Sequence, residues 1–336
     1  MSSIAKSQVV IAEDWIGLLT AYCLNQSGQS CTLFWVPNLK KRPETLLLEG
    51  LKPWQDLATP EAKQVQGLEF LLSQLDVVTE KKGLLSLDIA SAAELEAAEQ
   101  WVLSDRTQES DLQVMDEKVW VNIEPRLMSG AKSAIWRPDA AEVSCEAFEQ
   151  SMLDLLSQQG VDICLLENPP TAIQENQRIS LLRSSCGKEW LVESMVLTSV
   201  QLVQCVLPES HPIQTTETLV SFFRVHPGFL RHLVQVNGLL LMPQKNGSLS
   251  VRRKQSSELE VEVIEEENQL WDALQDVYPE MAMFEPLESV RLPENNVIEH
   301  SSLFSNLSFV SAGYEVGMLQ AFHQIMRFAQ QFEKQD

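Results

Sequence analysis

The stretch from Gln8 to Val36 constrains the fold more than any other. An apolar run, Val9-Val10-Ile11, enters a turn at Ala12-Glu13-Asp14. A helical pattern leaves it (Ile16, Leu19, Tyr22, Cys23), and Gly28 precedes a second apolar run from Ser30 to Val36. Strand, turn, helix and strand in this order, with Gly17 three positions after Asp14, is the layout of a dinucleotide-binding β-α-β unit. A working unit reads G-x-G-x-x-G, because the backbone must turn tightly and approach a pyrophosphate at the helix N-terminus. Here Ala12 stands at the first glycine position, Asp14 at the second, and only Gly17 is kept.

The replacements change the chemistry of the turn. A Cβ at the second position blocks the phosphate, and the Asp14 carboxylate repels it. Two like charges ~4 Å apart repel by about 1 kcal/mol in water and about 4 kcal/mol at an effective dielectric of 20. Glu13 adds a second acid. Asp14 is also a good helix N-cap, able to accept the amide hydrogen bonds that a phosphate would otherwise take. At the end of the second strand, where an acid would hold a ribose, the chain has Trp35. A charged hydrogen bond lost in this way is worth about 1.5–3 kcal/mol.

Charge narrows the partners. With 25 Lys and Arg against 47 Asp and Glu, the formal net charge is −22, which excludes sequence-independent binding to nucleic acid or to an anionic membrane. Glu258 to Glu267 carries much of this charge, first alternating and then clustered, and is expected to be an exposed strand face running into a helix start. The six cysteines are scattered without a C-x-x-C pair, mostly among apolar neighbours, as free thiols in a reducing compartment would be. No signal peptide and no apolar run of membrane-spanning length is present, so a cytoplasmic location is expected. The five histidines have no metal-ligand spacing, and no G-x-S-x-G elbow supports a serine nucleophile.

Further along, helices are expected over Ala62–Leu75, Ala92–Ser104, Ser144–Gln159, Glu267–Val277 and Met318–Phe332. Pro37 to Pro53, with Lys40, Lys41 and Arg42, reads as a loop, and Lys118 to Trp136 as strands and loops. Strands are expected at Val161–Leu166, Ile179–Arg183, Trp190–Leu197, Ser221–Val225, Gly238–Met242, Leu249–Val251 and Leu307–Val310, with Asn246-Gly247 a hairpin turn. A β-α-β start, a separate antiparallel sheet and a C-terminal return imply an α/β protein of two interleaved domains. The expected division is 1–75, 140–205 and 295–336 for a Rossmann-like dinucleotide-binding domain, with 76–139 and 206–294 for a substrate-type domain containing an antiparallel sheet.

The order of these segments resembles the D-amino-acid oxidase family, in particular its glycine-oxidase-like branch. Besides the opening turn, the resemblance rests on Ile123-Glu124-Pro125-Arg126-Leu127 and on Ala134-Ile135-Trp136 through Ala141-Glu142-Val143-Ser144. Leu241-Met242-Pro243-Gln244-Lys245-Asn246-Gly247, Ser289-Val290-Arg291-Leu292-Pro293 and Phe309 through Gly317 complete it. Their order and spacing carry the resemblance, more than any one match. The family implies an FAD-binding domain discontinuous in sequence, and oxidation of an amine by hydride transfer to the flavin.

The departures from the family fall on cofactor positions: Ala12, Asp14, Trp35 and Val200, the last standing where the family has a glycine. Gly17, Gly313 and Gly317 are kept, but the closing turn, Gly313-Tyr314-Glu315-Val316-Gly317, is one residue short. Arg291 matches an arginine that pairs with substrate carboxylate in the family, and Tyr314 would be a polar tip in the same cleft. The plainer expectation is a surface or domain-bridging salt bridge for Arg291, among so many acids, and a buried structural role for Tyr314. The expectation is an oxidase-like chain without FAD, without catalytic residues and without a metal. Such a chain would act by binding a small ligand or a protein partner, such as an intact flavoprotein paralogue. The alternative is an FAD-dependent oxidoreductase of amines or amino acids, with Lys40, Lys41 and Arg42 supplying phosphate contacts.

Overall fold

The strand Ser7–Ala12 is apolar on both sides because both of its faces are covered. Val10 and Ala12 pack with the helices Trp15–Gln26, Cys145–Gln158 and Met318–Phe332, while Val9 and Ile11 pack with the helix Val200–Val206. Central parallel strands buried in this way read as continuous apolar runs. The computed structural model describes residues 7–37, 45–48, 62–88, 92–105, 113–138, 140–207, 217–244, 246–253, 263–293, 297–311 and 317–332.

Three sheets organise these residues. In the first, Ser7–Ala12 lies between Glu189–Leu197 and Cys31–Trp35, parallel to both, and Cys31–Trp35 pairs in parallel with Asp162–Leu165. Leu307–Ser311 joins in parallel on the far side of Glu189–Leu197. The first helix starts at Asp14 and ends at Ser27, followed by Gly28 with a positive φ of 81°. That left-handed residue reverses the chain into the second strand.

The second sheet is mainly antiparallel and eight-stranded, ordered Glu285–Pro293, Glu217–Arg224, Ser248–Arg253, Leu239–Pro243, Leu233–Val236, Leu84–Ser86, Ser133–Arg137 and Gln113–Asp116. One face carries Leu219, Phe223, Leu241, Val251 and Val234, and is covered by Leu270, Leu274 and Val277 of the helix Val263–Val277. The opposite, inner face is set by register: Val220 is opposite Arg252, Phe222 opposite Ser250, and Leu240 opposite Arg252 on the other side. A third sheet of Thr45–Leu47, Ala141–Ser144 and Thr79–Lys81 has Ala141–Ser144 in the middle. It meets the inner face through Leu47 and Ala140, which pack with Leu84, Leu233, Leu240 and Met242.

Several segments differ from the sequence expectation. The stretch read as the loop Pro37 to Pro53 contains the buried strand Thr45–Leu47, which forms only by pairing with Ala141–Ser144 about a hundred positions later. The stretch Lys118 to Trp136 contains a helix, Glu117–Ile123, capped by the Asp116 carboxylate, which accepts from the Val119 amide at 3.1 Å. Its buried Trp120 fills the covered face of the second sheet. The helices Ala62–Gln74, Ala92–Asp105 and Met318–Phe332 match expectation, and Asn246-Gly247 is the turn between Leu239–Pro243 and Ser248–Arg253. Helix Val263–Val277 starts four residues earlier than read, and the alternating acids Glu258, Glu260 and Glu262 lie outside the described residues.

Candidate functional site: the nucleotide-binding turn and the inner sheet face

The turn after the first strand is closed by its own aspartate. One oxygen of Asp14, Oδ1, accepts the backbone N–H of Ile16 at 3.1 Å and that of Gly17 at 3.4 Å. Asp14 has extended backbone, and its carbonyl accepts from Gly17 and Leu18 as the helix begins. These are the amides that a helix offers to an anion. Gly17 keeps the role of the third glycine: a Cβ there would fall inside Ala12 Cβ and lie 2.9 Å from Thr198 Oγ1. The helix therefore lies hard against the strand ends, and Thr198 reinforces the junction by donating to the Ile11 carbonyl at 3.1 Å.

Two of the replaced positions are neighbours in space. Trp35 is the register partner of Ala12, and the Val36 amide donates to the Ala12 carbonyl at 2.8 Å. Ala12, Glu13, Trp15, Trp35, Val36 and Thr198 are all buried. Ser199 caps the helix Val200–Val206, accepting from the Leu202 amide at 3.1 Å, so Val200 is the first helical residue directly after the strand end that adjoins Ile11. The carbonyl of the buried Gly317 accepts from Gln320 and Ala321 at the start of the last helix. Gly313, Tyr314 and the basic trio Lys40, Lys41 and Arg42 lie outside the described residues.

The inner face of the second sheet is closed as well. Val220, Met242 and Ser250 have no measurable exposure, Arg252 is 2% exposed, and Ser86, Ile135, Leu240 and Ser248 are also buried. Arg291 is opposite Leu219, a position in the helix-covered row, whereas Arg252 is opposite Val220 in the inner row.

Sequence reading missed the polar cluster around Arg252. Glu142, 1% exposed at its side chain, approaches Lys82 Nζ with Oε2 at 3.2 Å. Lys82 also donates to the Pro243 carbonyl at 2.7 Å. Gln244 Nε2 donates to Ser250 Oγ at 3.1 Å and to the Met242 carbonyl at 3.2 Å, and its Oε1 accepts from Thr45 Oγ1 at 3.4 Å. Burial pushes the Glu142 carboxyl up; Lys82 and Arg252 oppose this, and Glu80, directly across the strand pair, adds to it. The one available signal was the pair Arg252-Arg253 ending the strand Ser248–Arg253, where alternation sends one of the two inward. Among the described residues no group of His, Cys, Asp and Glu is placed to hold a metal ion, and no helix is long and apolar enough to cross a membrane.

This arrangement of sheets occurs in solved structures. The chain superposes on iminodiacetate oxidase from Chelativorans sp. with a TM-score of 0.68 at 15% identity, covering 98% of this chain and 95% of that one. Glycine oxidase from Bacillus cereus gives 0.65 at 16% identity, covering 99% and 96%. L-proline dehydrogenase from P. horikoshii gives 0.68 at 12%, covering 98% and 94%. The fold is that of the D-amino-acid-oxidase type of FAD-dependent oxidoreductase. No family model matches the sequence, and a search of curated proteins found no match. The likeness is one of architecture, spread over the whole chain at low identity.

At the turn after the first strand the Ile16 and Gly17 amides donate to Asp14, and the buried Trp35 stands beside Ala12.

Proposed function

We propose that this chain is a non-catalytic relative of the D-amino-acid oxidases that folds without FAD and acts through binding, with a protein partner as the ligand class. The observation that carries the reading is the Asp14 carboxylate on the Ile16 and Gly17 amides. A phosphate entering there must displace that cap and face its negative charge. The burial of Trp35 beside Ala12 supports the same conclusion from a separate strand. A flavoprotein paralogue of the same fold is one such protein partner, and the acidic surface suits a basic face.

The visible absorption spectrum of natively purified protein, followed by FAD titration read by flavin fluorescence, tests the cofactor part. The expected result is a colourless protein with no saturable quenching of FAD. A yellow protein, or tight saturable binding, would overturn it in favour of an FAD-dependent oxidoreductase of amines or amino acids. For the partner part, a tagged chain expressed in its native cells is expected to co-purify with a stoichiometric protein. Recovery of a lone monomer would sink that part.

A further inference from the structure

His232 opens the strand Leu233–Val236 on the helix-covered side of the second sheet, where Trp136, Phe229 and Tyr278 pack. Its ring nitrogen Nδ1 lies 2.8 Å from Oε1 of Glu124, and its backbone N–H donates to the same oxygen at 3.3 Å. Glu124 closes the helix Glu117–Ile123, its amide donating to the Trp120 carbonyl at 3.3 Å, and its side chain is only 5% exposed. An ionised carboxylate can only accept hydrogen bonds, so Nδ1 carries the ring proton and the lone pair of the neutral imidazole falls on Nε2. The Trp136 ring meets the imidazole edge-to-face, with centroids 5.1 Å apart, and restrains its rotation. Gly83 makes room for that indole, since a Cβ there would fall 2.1 Å from Trp136 Cη2. Among the described residues Nε2 has no hydrogen-bond partner and is not buried, and the His232 side chain is 26% exposed.

We propose that His232 is a nucleophilic imidazole, a modification site whose Nε2 accepts a phosphoryl group from a small phosphoryl donor. Such a nucleophile needs a fixed tautomer, an open lone pair and a carboxylate that balances the positive charge gained by the ring as the new bond forms. Glu124 supplies the first and the third, and the exposure of Nε2 supplies the second. With phosphoramidate as the donor, Nε2 bonds to phosphorus while the donor's own phosphorus–nitrogen bond breaks and ammonia leaves. The Nδ1 proton stays in its bond to Glu124, and nothing is oxidised or reduced. An acyl group on the same nitrogen would be lost quickly to water, so phosphoryl transfer is the modification that lasts. His226 provides the contrast: it is exposed, and its ring meets only the Phe284 ring, with centroids 5.5 Å apart. The inference does not depend on whether the chain binds flavin, and its test uses none.

Incubation of the native full-length protein with potassium phosphoramidate at mildly alkaline pH tests it, read by peptide mapping under alkaline conditions that preserve the phosphorus–nitrogen bond. His232 is expected to be labelled about 10-fold or more faster than His226, although it is the less exposed ring. Glu124→Gln, checked for native circular dichroism, is expected to lose that advantage. Equal rates at His232 and His226 would overturn the proposal, as would a His232 rate that is unchanged in folded Glu124→Gln. If Glu124→Gln is recovered only unfolded, the comparison of the two histidines in the native chain decides alone.

Discussion

Two carboxylates close two parts of this molecule in different ways. Asp14 is half-buried and caps neutral amides at a helix end; Glu142 is fully buried and faces charged side chains between two sheets. The first is a local contact made within three residues of sequence, so its worth is that of an N-cap. The second ties the strand Ala141–Ser144 to Lys82, which also donates to the Pro243 carbonyl, and its loss leaves a cation in a poorly solvated place. A cap can be removed cheaply. A buried ionic cluster cannot, even though desolvation makes its net contribution to stability small.

The contrast is sharpest at Glu142. Glu142→Ala should destabilise the fold by about 3–5 kcal/mol, whereas Lys82→Met with Glu142→Leu should recover most of that loss, because the unpaired cation goes with its partner. Urea unfolding of both variants checks this, and a double variant no better than the single one would argue against the pairing. The pH dependence has a definite sign. The Glu142 carboxyl is raised on folding by desolvation. Its contribution to stability is therefore fully present below the ordinary carboxylate range and is lost as pH rises through the raised folded value. The double variant should lack this component when unfolding is followed against pH.

Next in size is Gly17. Its Cβ would strike Ala12 and crowd Thr198, so Gly17→Val should cost about 1–3 kcal/mol or more, by forcing the first helix away from the strand ends. A denaturation midpoint unchanged by that substitution would contradict the close packing. Asp14 should matter less: Asp14→Ala should cost about 0.5–2 kcal/mol, and Asp14→Gly only a few tenths of that scale. Hydrogen exchange at Ile16 and Gly17 localises the effect, since faster exchange is expected at those two amides first.

The smallest effect is chemical. Cys23, Cys31 and Cys145 are buried, while Cys186 and Cys205 are exposed, so the free thiols are only partly the buried set that the sequence suggested. A hydrogen bond with Ser184, whose Oγ lies 3.0 Å from the sulfur, pulls the Cys186 thiol down, helped by the Lys188 backbone. Burial pushes the Cys31 thiol up to about 12 and holds the Cys23 thiol well above its ordinary value. Iodoacetamide at mildly alkaline pH should therefore label Cys186 while Cys23 and Cys31 stay protected until the chain unfolds. Ser184→Ala should slow the Cys186 reaction, as peptide mapping would show.

Local patterns wrote much of this fold into the sequence. Apolar runs beside a helical period predicted the opening β-α-β unit, and the amphipathic stretch Ser144–Gln159 predicted the helix Cys145–Gln158, because periodicity depends on near neighbours. The self-capped turn was legible for the same reason: Asp14 and its amides are adjacent in the chain. Thr45–Leu47 was not legible, because three residues have no period and become a strand only by pairing with Ala141–Ser144. Nor was the assembly of Lys82, Glu142 and Arg252, whose members are separated by 60 and 110 positions. The sequence by itself determined the order of elements and the lost glycines, through local steric and hydrogen-bonding preferences. The tertiary structure alone decided which arginine enters the inner face and which acid meets it, because register and burial exist only once distant strands have paired.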